Sequence, residues 1–170
     1  EQEIRAVIED LKGKKFFVYS IEEKERLRNP SPPFTTSSLQ QEASRKLNFT
    51  PKKTMKLAQE LYEGLSVGKE GTIGLITYIR TDSTRIAESV QEEAKNYILT
   101  KYGKEYLPKQ PRKYKEKKGA QDAHEAIRPT GVEREPDLIK EYLTKDQYKL
   151  YKLIWERFIA SQMSSAVLNV

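Results

Sequence analysis

TKDQYKLYKLIWERFIASQ, residues 144–162, limits most strongly what this chain can fold into. Thr144 and Gln147 have capping-box spacing, in which each side chain bonds the other residue's backbone N–H and fixes where a helix starts. Tyr148, Tyr151, Trp155 and Phe158 follow at spacings of three and four, and Ile159 widens the stripe they make. A stripe that broad has to be covered by other elements, so this is the predicted core helix of a helical domain. The chain has 170 residues, enough for one domain of ordinary size or for one domain plus part of another.

Further helices can be read on either side. Ile4, Val7, Ile8 and Leu11 predict a helix over residues 1–12. In TTSSLQQEASRKL, Ser38 and Gln41 have capping-box spacing and Leu39, Ala43 and Leu47 share a face. Thr50 and Pro51 read as N-cap and first residue of a helix that carries Met55, Leu57, Ala58, Leu61 and Tyr62 and stops at Gly64. Two helices with a tight turn outline a helix-turn-helix, a motif that also occurs in proteins with no nucleic-acid role. AESVQEEAKNYILTKYG predicts an amphipathic helix with Val90, Ala94, Tyr97 and Ile98 inward. AQDAHEAIRPT reads as a short helix or turn ended by Pro129, and Pro136 as the start of another helix, PDLIKEYL. KKFFVYSIEEKE and the tail SSAVLNV read as strands able to pair, and GTIGLITYI as a short strand or extended segment. NPSPPF, residues 29–34, is a connector whose prolines withhold backbone donors. Residues 104–119 form an aperiodic Lys, Pro and Tyr stretch, read as an exposed basic loop.

Composition excludes several chemistries. With no cysteine, the chain has no disulfide, thiolate zinc site or cysteine nucleophile. His124 is the only histidine, and there is no DxD-type acid cluster, P-loop or GxSxG. The net charge of +6 suits a polyanion partner without requiring one. No stretch approaches 18 consecutive apolar residues and no signal peptide opens the chain, so a soluble cytoplasmic protein without membrane contact is expected. The first residue is not Met and the last seven read as a strand, so both ends read as cuts through a larger protein.

The chemistry that remains is carried by Tyr78, Arg80, Asp82, His124 and Arg128. In an extended GTIGLITYIRTDS, Ile76, Tyr78 and Arg80 fall on one face and Thr77, Ile79 and Thr81 on the other. A tyrosine hydroxyl is a nucleophile only with help, because it is mostly protonated at neutral pH. Arg80 could give a phosphate two parallel bonds. His124, kept protonated by a carboxylate such as Asp82, could donate to the same group. Arg128, a helical turn beyond His124, could face the same anion. Each residue also has a plain structural role open to it: a packed tyrosine, an Arg80–Asp82 ion pair, a surface histidine.

PPFTTSSLQQEASRKL, GLITYIRTDST and AQDAHEAIRPT, in this order and spanning about residues 29 to 134, closely resemble three motifs of the bacterial type IA DNA topoisomerases. The resemblance implies that Tyr78 attacks a DNA phosphate and becomes linked to the 5′ end of the broken strand. It implies phosphate contacts for Arg80 and His124, with Asp82 supporting the histidine and Arg128 a further DNA contact. It implies an α+β, mainly helical fold: a winged-helix-like (CAP-like) gate domain over residues 34–162, flanked by pieces of a β-rich arch. Those pieces are residues 1–33, with the proline-rich hinge strap, and the returning strand 163–170. The implied partner is single-stranded and negatively supercoiled DNA, relaxed by cleavage, strand passage and religation in the bacterial nucleoid. The implied cofactor, Mg²⁺, is held in this family by a Toprim domain that is not among these residues, so the fragment alone is expected to be inactive. A DNA-binding module without catalysis and a hinge domain that touches no DNA are the competing readings.

Overall fold

A computed structural model describes residues 1–114 and 124–170. In chain order the elements are α1 (Gln2–Leu11), β1 (Glu25–Arg28), α2 (Thr36–Leu47), α3 (Pro51–Glu63), β2 (Leu65–Ser66), β3 (Thr72–Ile73), α4 (Glu88–Lys101), α5 (Lys145–Ser161) and β4 (Ala166–Asn169). Short 3₁₀ turns lie at Gly68–Glu70, Lys104–Tyr106 and Lys140–Tyr142. The fold is α+β and mainly helical. It divides into two compact units, Glu1–Leu27 with Val167–Val170, and Arg28–Ala166.

In the first unit α1 buries none of its residues, and Ile4, Val7, Ile8 and Leu11 stay exposed. The two ends of the chain do pair, β1 with β4, and Lys24 and Val170 exchange both backbone bonds (N···O 3.0 and 2.9 Å). The strand expected at KKFFVYSI is a correction. Residues 14–21 form no regular element, and the tail pairs with residues 24–28 instead. Phe16, Phe17, Val18, Tyr19 and Ile21 all stand exposed; β-favouring side chains do not make a strand where no partner strand covers them.

The second unit is built on α5. Its Leu150, Tyr151, Ile154 and Phe158 are fully buried, and α2 and α3 pack against it and against each other. α4 adds Ala94 and Ile98 to the same core, and its Tyr97 meets Trp155 edge-on with ring centroids 5.6 Å apart. The capping box of α5 is formed as read: Thr144 Oγ1 accepts from Gln147 N, and Gln147 Oε1 accepts from Thr144 N. Thr50 caps α3 with Pro51 at its first position, and α3 ends at Gly64. α2 begins earlier than read. Its box joins Thr35 to Ser38, while Gln41 bonds Ser37 within the helix.

α2 and α3 turn through Asn48, which takes the left-handed conformation (φ 55°, ψ 35°) that asparagine tolerates. The antiparallel hairpin β2–β3 follows in the register Leu65↔Ile73 and Ser66↔Thr72. Helix, turn, helix and hairpin make a winged-helix-like outline.

The helix expected at PDLIKEYL is absent, and the described part of AQDAHEAIRPT, read as a short helix or turn, is not helical. Residues 136–143 form turns and the 3₁₀ segment, because Ile139 is buried while Leu138 points outward and no apolar stripe develops. Residues 124–130 are extended, held by isolated antiparallel bridges Phe34↔Ile127 and Ile76↔Pro129. Part of the basic loop and of AQDAHEAIRPT, residues 115–123, lies outside the described residues. Among the described residues no helix is long and apolar enough to cross a membrane.

Candidate active site

The segment that carries Tyr78 starts on the end of α3. Leu75 N donates to Leu61 O (2.7 Å), and Gly74 lies so close that a Cβ there would sit 2.6 Å from the Tyr62 carbonyl oxygen. Leu75 and Ile76 are both buried, and from Tyr78 onward the chain alternates. Tyr78, Arg80 and Asp82 point outward; Ile79, Thr81 and Ser83 are buried. The extended reading therefore puts Tyr78 and Arg80 on one face correctly, but Ile76 does not join them, because it pairs with Pro129 in the core. Tyr78 is 46% exposed.

The HEAIRP segment is bound alongside by one threonine. Thr77 Oγ1 donates to Ala126 O (2.7 Å) and accepts from Arg128 N (3.0 Å), and Thr77 N donates to Arg128 O (2.9 Å). Thr130 closes the pairing through Gly74 O (2.7 Å) and Leu75 O (3.0 Å). Held in this way, His124 comes beside the tyrosine, with ring centroids 6.2 Å apart and planes at 60°. Tyr62, from α3, meets the Tyr78 ring edge-on at 5.5 Å.

On its buried side the same loop is gripped by the start of α2. Thr36 N donates to Thr81 O (2.9 Å), Thr36 Oγ1 donates to Ile79 O (2.7 Å), and Thr81 N donates to Thr36 Oγ1 (2.9 Å). Phe34 O accepts from Ile127 N (2.8 Å), so residues 34–36 hold both chain segments. Beyond Asp82 the loop supports itself: Ser83 N donates to Thr81 Oγ1 and Arg85 N to Ser83 Oγ, each at 3.1 Å.

Arg128 departs from the sequence reading. Its Nε and Nη2 donate to Glu125 Oε2 (3.0 and 2.6 Å) and its Nη1 to Pro129 O (3.0 Å), and its side chain is only 12% exposed. The backbone here is extended, so the expected helical turn from His124 to Arg128 does not exist. Glu125 also accepts from Ala87 N (3.1 Å), the residue before α4, and so joins that helix to the HEAIRP segment. Among the described residues Arg80 and Asp82 form no ion pair with each other, and no hydrogen bond joins Asp82 to His124; the ion pair of this region is Arg128–Glu125.

An outward tyrosine with an imidazole beside it and an arginine two residues on is a group that an anion could approach. A family model described as DNA topoisomerase matches residues 1–170, the full length of the chain. The chain belongs to the DNA topoisomerase family. It is also similar to a solved structure of full-length topoisomerase I from Thermotoga maritima, at 44% identity with a TM-score of 0.74. That match covers 93% of this chain and 27% of the other, so the chain spans about a quarter of the topoisomerase it resembles. The matches place it among the bacterial type IA topoisomerases.

Within this topoisomerase segment the structure brings Tyr78 and His124 together, turns Arg80 and Asp82 to the same exposed side of the loop as Tyr78, and ties Arg128 down. Sequence reasoning missed Thr36, Thr77 and Glu125. The partners of Thr36 and Thr77, and the Ala87 amide that Glu125 accepts from, lie 38 to 51 residues away, beyond any local pattern. The one available signal was that Thr36 is a second threonine next to a capping Thr35, a hydroxyl the helix start does not need.

Proposed function

We propose that this chain is the tyrosine-bearing part of a type IA topoisomerase that relaxes negatively supercoiled DNA in the bacterial nucleoid. The Tyr78 Oη attacks a backbone phosphorus of single-stranded DNA. The P–O3′ bond breaks, the phenol proton is lost, and the departing O3′ leaves as a 3′-hydroxyl. The product is a 5′-phosphotyrosine link, which the 3′-hydroxyl attacks in the reverse step after strand passage. Arg80 offers a guanidinium fork to the non-bridging oxygens, and His124 donates to the same phosphate. Asp82 is proposed to support the charged imidazole once DNA is bound. Arg128 serves by holding the HEAIRP segment through Glu125, and its DNA contact is the weakest member of the set.

The observation that carries this reading is the exposed Tyr78 hydroxyl-bearing ring beside His124, 6.2 Å away, on a loop that turns Arg80 outward. Mg²⁺ is the cofactor proposed for the parent enzyme. Among the described residues no group of three or more His, Asp or Glu side chains could hold a metal ion, so the ion has no fit here and a Toprim domain elsewhere in the parent would hold it. The arch assignments for residues 1–33 and 163–170 are part of the same proposal. Tyr78→Phe in the full-length enzyme is expected to abolish the covalent adduct with a single-stranded oligonucleotide while leaving oligonucleotide binding in place. The winged-helix-like outline favours a second reading, a DNA-binding module without catalysis. That reading predicts that the parent's DNA adduct and its relaxation activity both survive Tyr78→Phe.

A further inference from the structure

We infer that Thr36 is a positioning residue for the cleavage step, acting through Arg80. The inference rests on the proposed role of Tyr78. The two peptide groups that flank Arg80 are the Ile79–Arg80 and Arg80–Thr81 peptides. A single side-chain oxygen pins both: Thr36 Oγ1 donates to Ile79 O (2.7 Å) and accepts from Thr81 N (2.9 Å). The Thr81 carbonyl lies 3.1 Å from the same oxygen and also receives the Thr36 N–H at 2.9 Å.

Fixing the peptide on each side of a residue fixes its φ and ψ, and with them the direction of its Cα–Cβ bond. Arg80 is exposed and has no ion pair among the described residues to hold its side chain, so its aim relative to Tyr78 depends on the backbone. Thr36 is itself anchored. It is the first residue of α2, whose Leu39 and Ala43 are fully buried. Two residues earlier, Phe34 is fully buried and its carbonyl accepts from Ile127 N (2.8 Å), on the segment that carries His124. The start of α2 thus sets the spacing between the tyrosine segment and the histidine segment, with Thr36 as its contact to the first.

The hydroxyl is engaged by the backbone of residues 79 and 81, so its loss is expected to act on the rate of the chemical step and to leave the strength of DNA binding alone. The experiment compares Thr36→Val, Thr36→Ala and Thr36→Ser in the full-length topoisomerase. It measures single-turnover cleavage at saturating single-stranded oligonucleotide, the Kd of the same oligonucleotide, and the thermal midpoint. Thr36→Val and Thr36→Ala are expected to cleave about 10²-fold more slowly, the scale of a misplacement near 1 Å, with Kd changed by less than about 3-fold. Thr36→Ser keeps the hydroxyl and should cleave within about 3-fold of the parent. Thr54→Val is the control, since Thr54 is a buried threonine whose Oγ1 donates to Thr50 O (3.0 Å), the cap residue of its own helix α3.

Wild-type cleavage by Thr36→Val and Thr36→Ala overturns the inference. So does an equal slowing by Thr54→Val, which would make the effect one of general stability, and so does a failure of Thr36→Ser to restore the rate. Tyr78→Phe in the same assay separates the two claims. If that variant still cleaves, the nucleophile assignment fails; if it is dead and the Thr36 variants are normal, only the positioning role fails.

Discussion

Thr77 shows how much of the site hangs on single hydroxyls. Its Oγ1 satisfies the Ala126 carbonyl and the Arg128 amide together, in a part-buried position (2.7 and 3.0 Å). Thr77→Val keeps the shape and removes both bonds, leaving a donor and an acceptor without partners. The expected loss is about 1–3 kcal/mol of unfolding free energy, measured by chemical denaturation. A loss near zero would mean that water replaces the hydroxyl without cost. At this scale the sequence was readable where a local rule applied. The two-residue period placed Tyr78 and Arg80 on one side, as found. The rule failed at Ile76, where pairing with Pro129 turns the side chain into the core. The helical turn expected from His124 to Arg128 failed for a related reason: Thr77 and Ile76 hold residues 126–129 extended.

Among the elements, those with strong internal signals were legible. α3 and α5 each follow a capping threonine, and their apolar faces meet in the core as the periodicity required. Residues 14–21 and 136–143 carried suitable residue types without a surface to pack on, and propensity alone did not carry them into strand or helix. The join between α3 and the tyrosine segment is set by a glycine whose importance no periodicity reveals. A Cβ on Gly74 would lie 2.6 Å from the Tyr62 carbonyl oxygen, a backbone atom that cannot step aside alone. Gly74→Ala should therefore cost about 1–3 kcal/mol, as overpacking does, and lower the thermal midpoint. It should also disturb the Tyr62–Tyr78 ring contact of 5.5 Å, which a change in tyrosine fluorescence or in aromatic NMR shifts would report. An alanine variant as stable as the parent would show that α3 ends more loosely than described.

At the scale of the whole molecule, the two compact units and the 27% share of the matched topoisomerase bound what these residues do by themselves. A protein made of these 170 residues alone is expected to leave negatively supercoiled plasmid unrelaxed, with or without Mg²⁺. Gel electrophoresis that showed relaxed topoisomers would contradict this. Any binding to single-stranded oligonucleotide should weaken steeply as salt rises, because basic contacts to phosphates release counterions. The motifs made the family legible at this scale, since three stretches in order are far more specific than any one of them. The central claim remains local: one hydroxyl, on Tyr78, takes the DNA. Its most direct test is to trap the adduct of the full-length enzyme with a labelled single-stranded oligonucleotide, digest it with protease, and sequence the nucleotide-bearing peptide by mass spectrometry. The nucleotide is predicted on Tyr78 through a 5′-phosphate, with a 3′-hydroxyl on the released strand. A nucleotide on any other tyrosine, Tyr62 included, or a link through a 3′-phosphate, would contradict it.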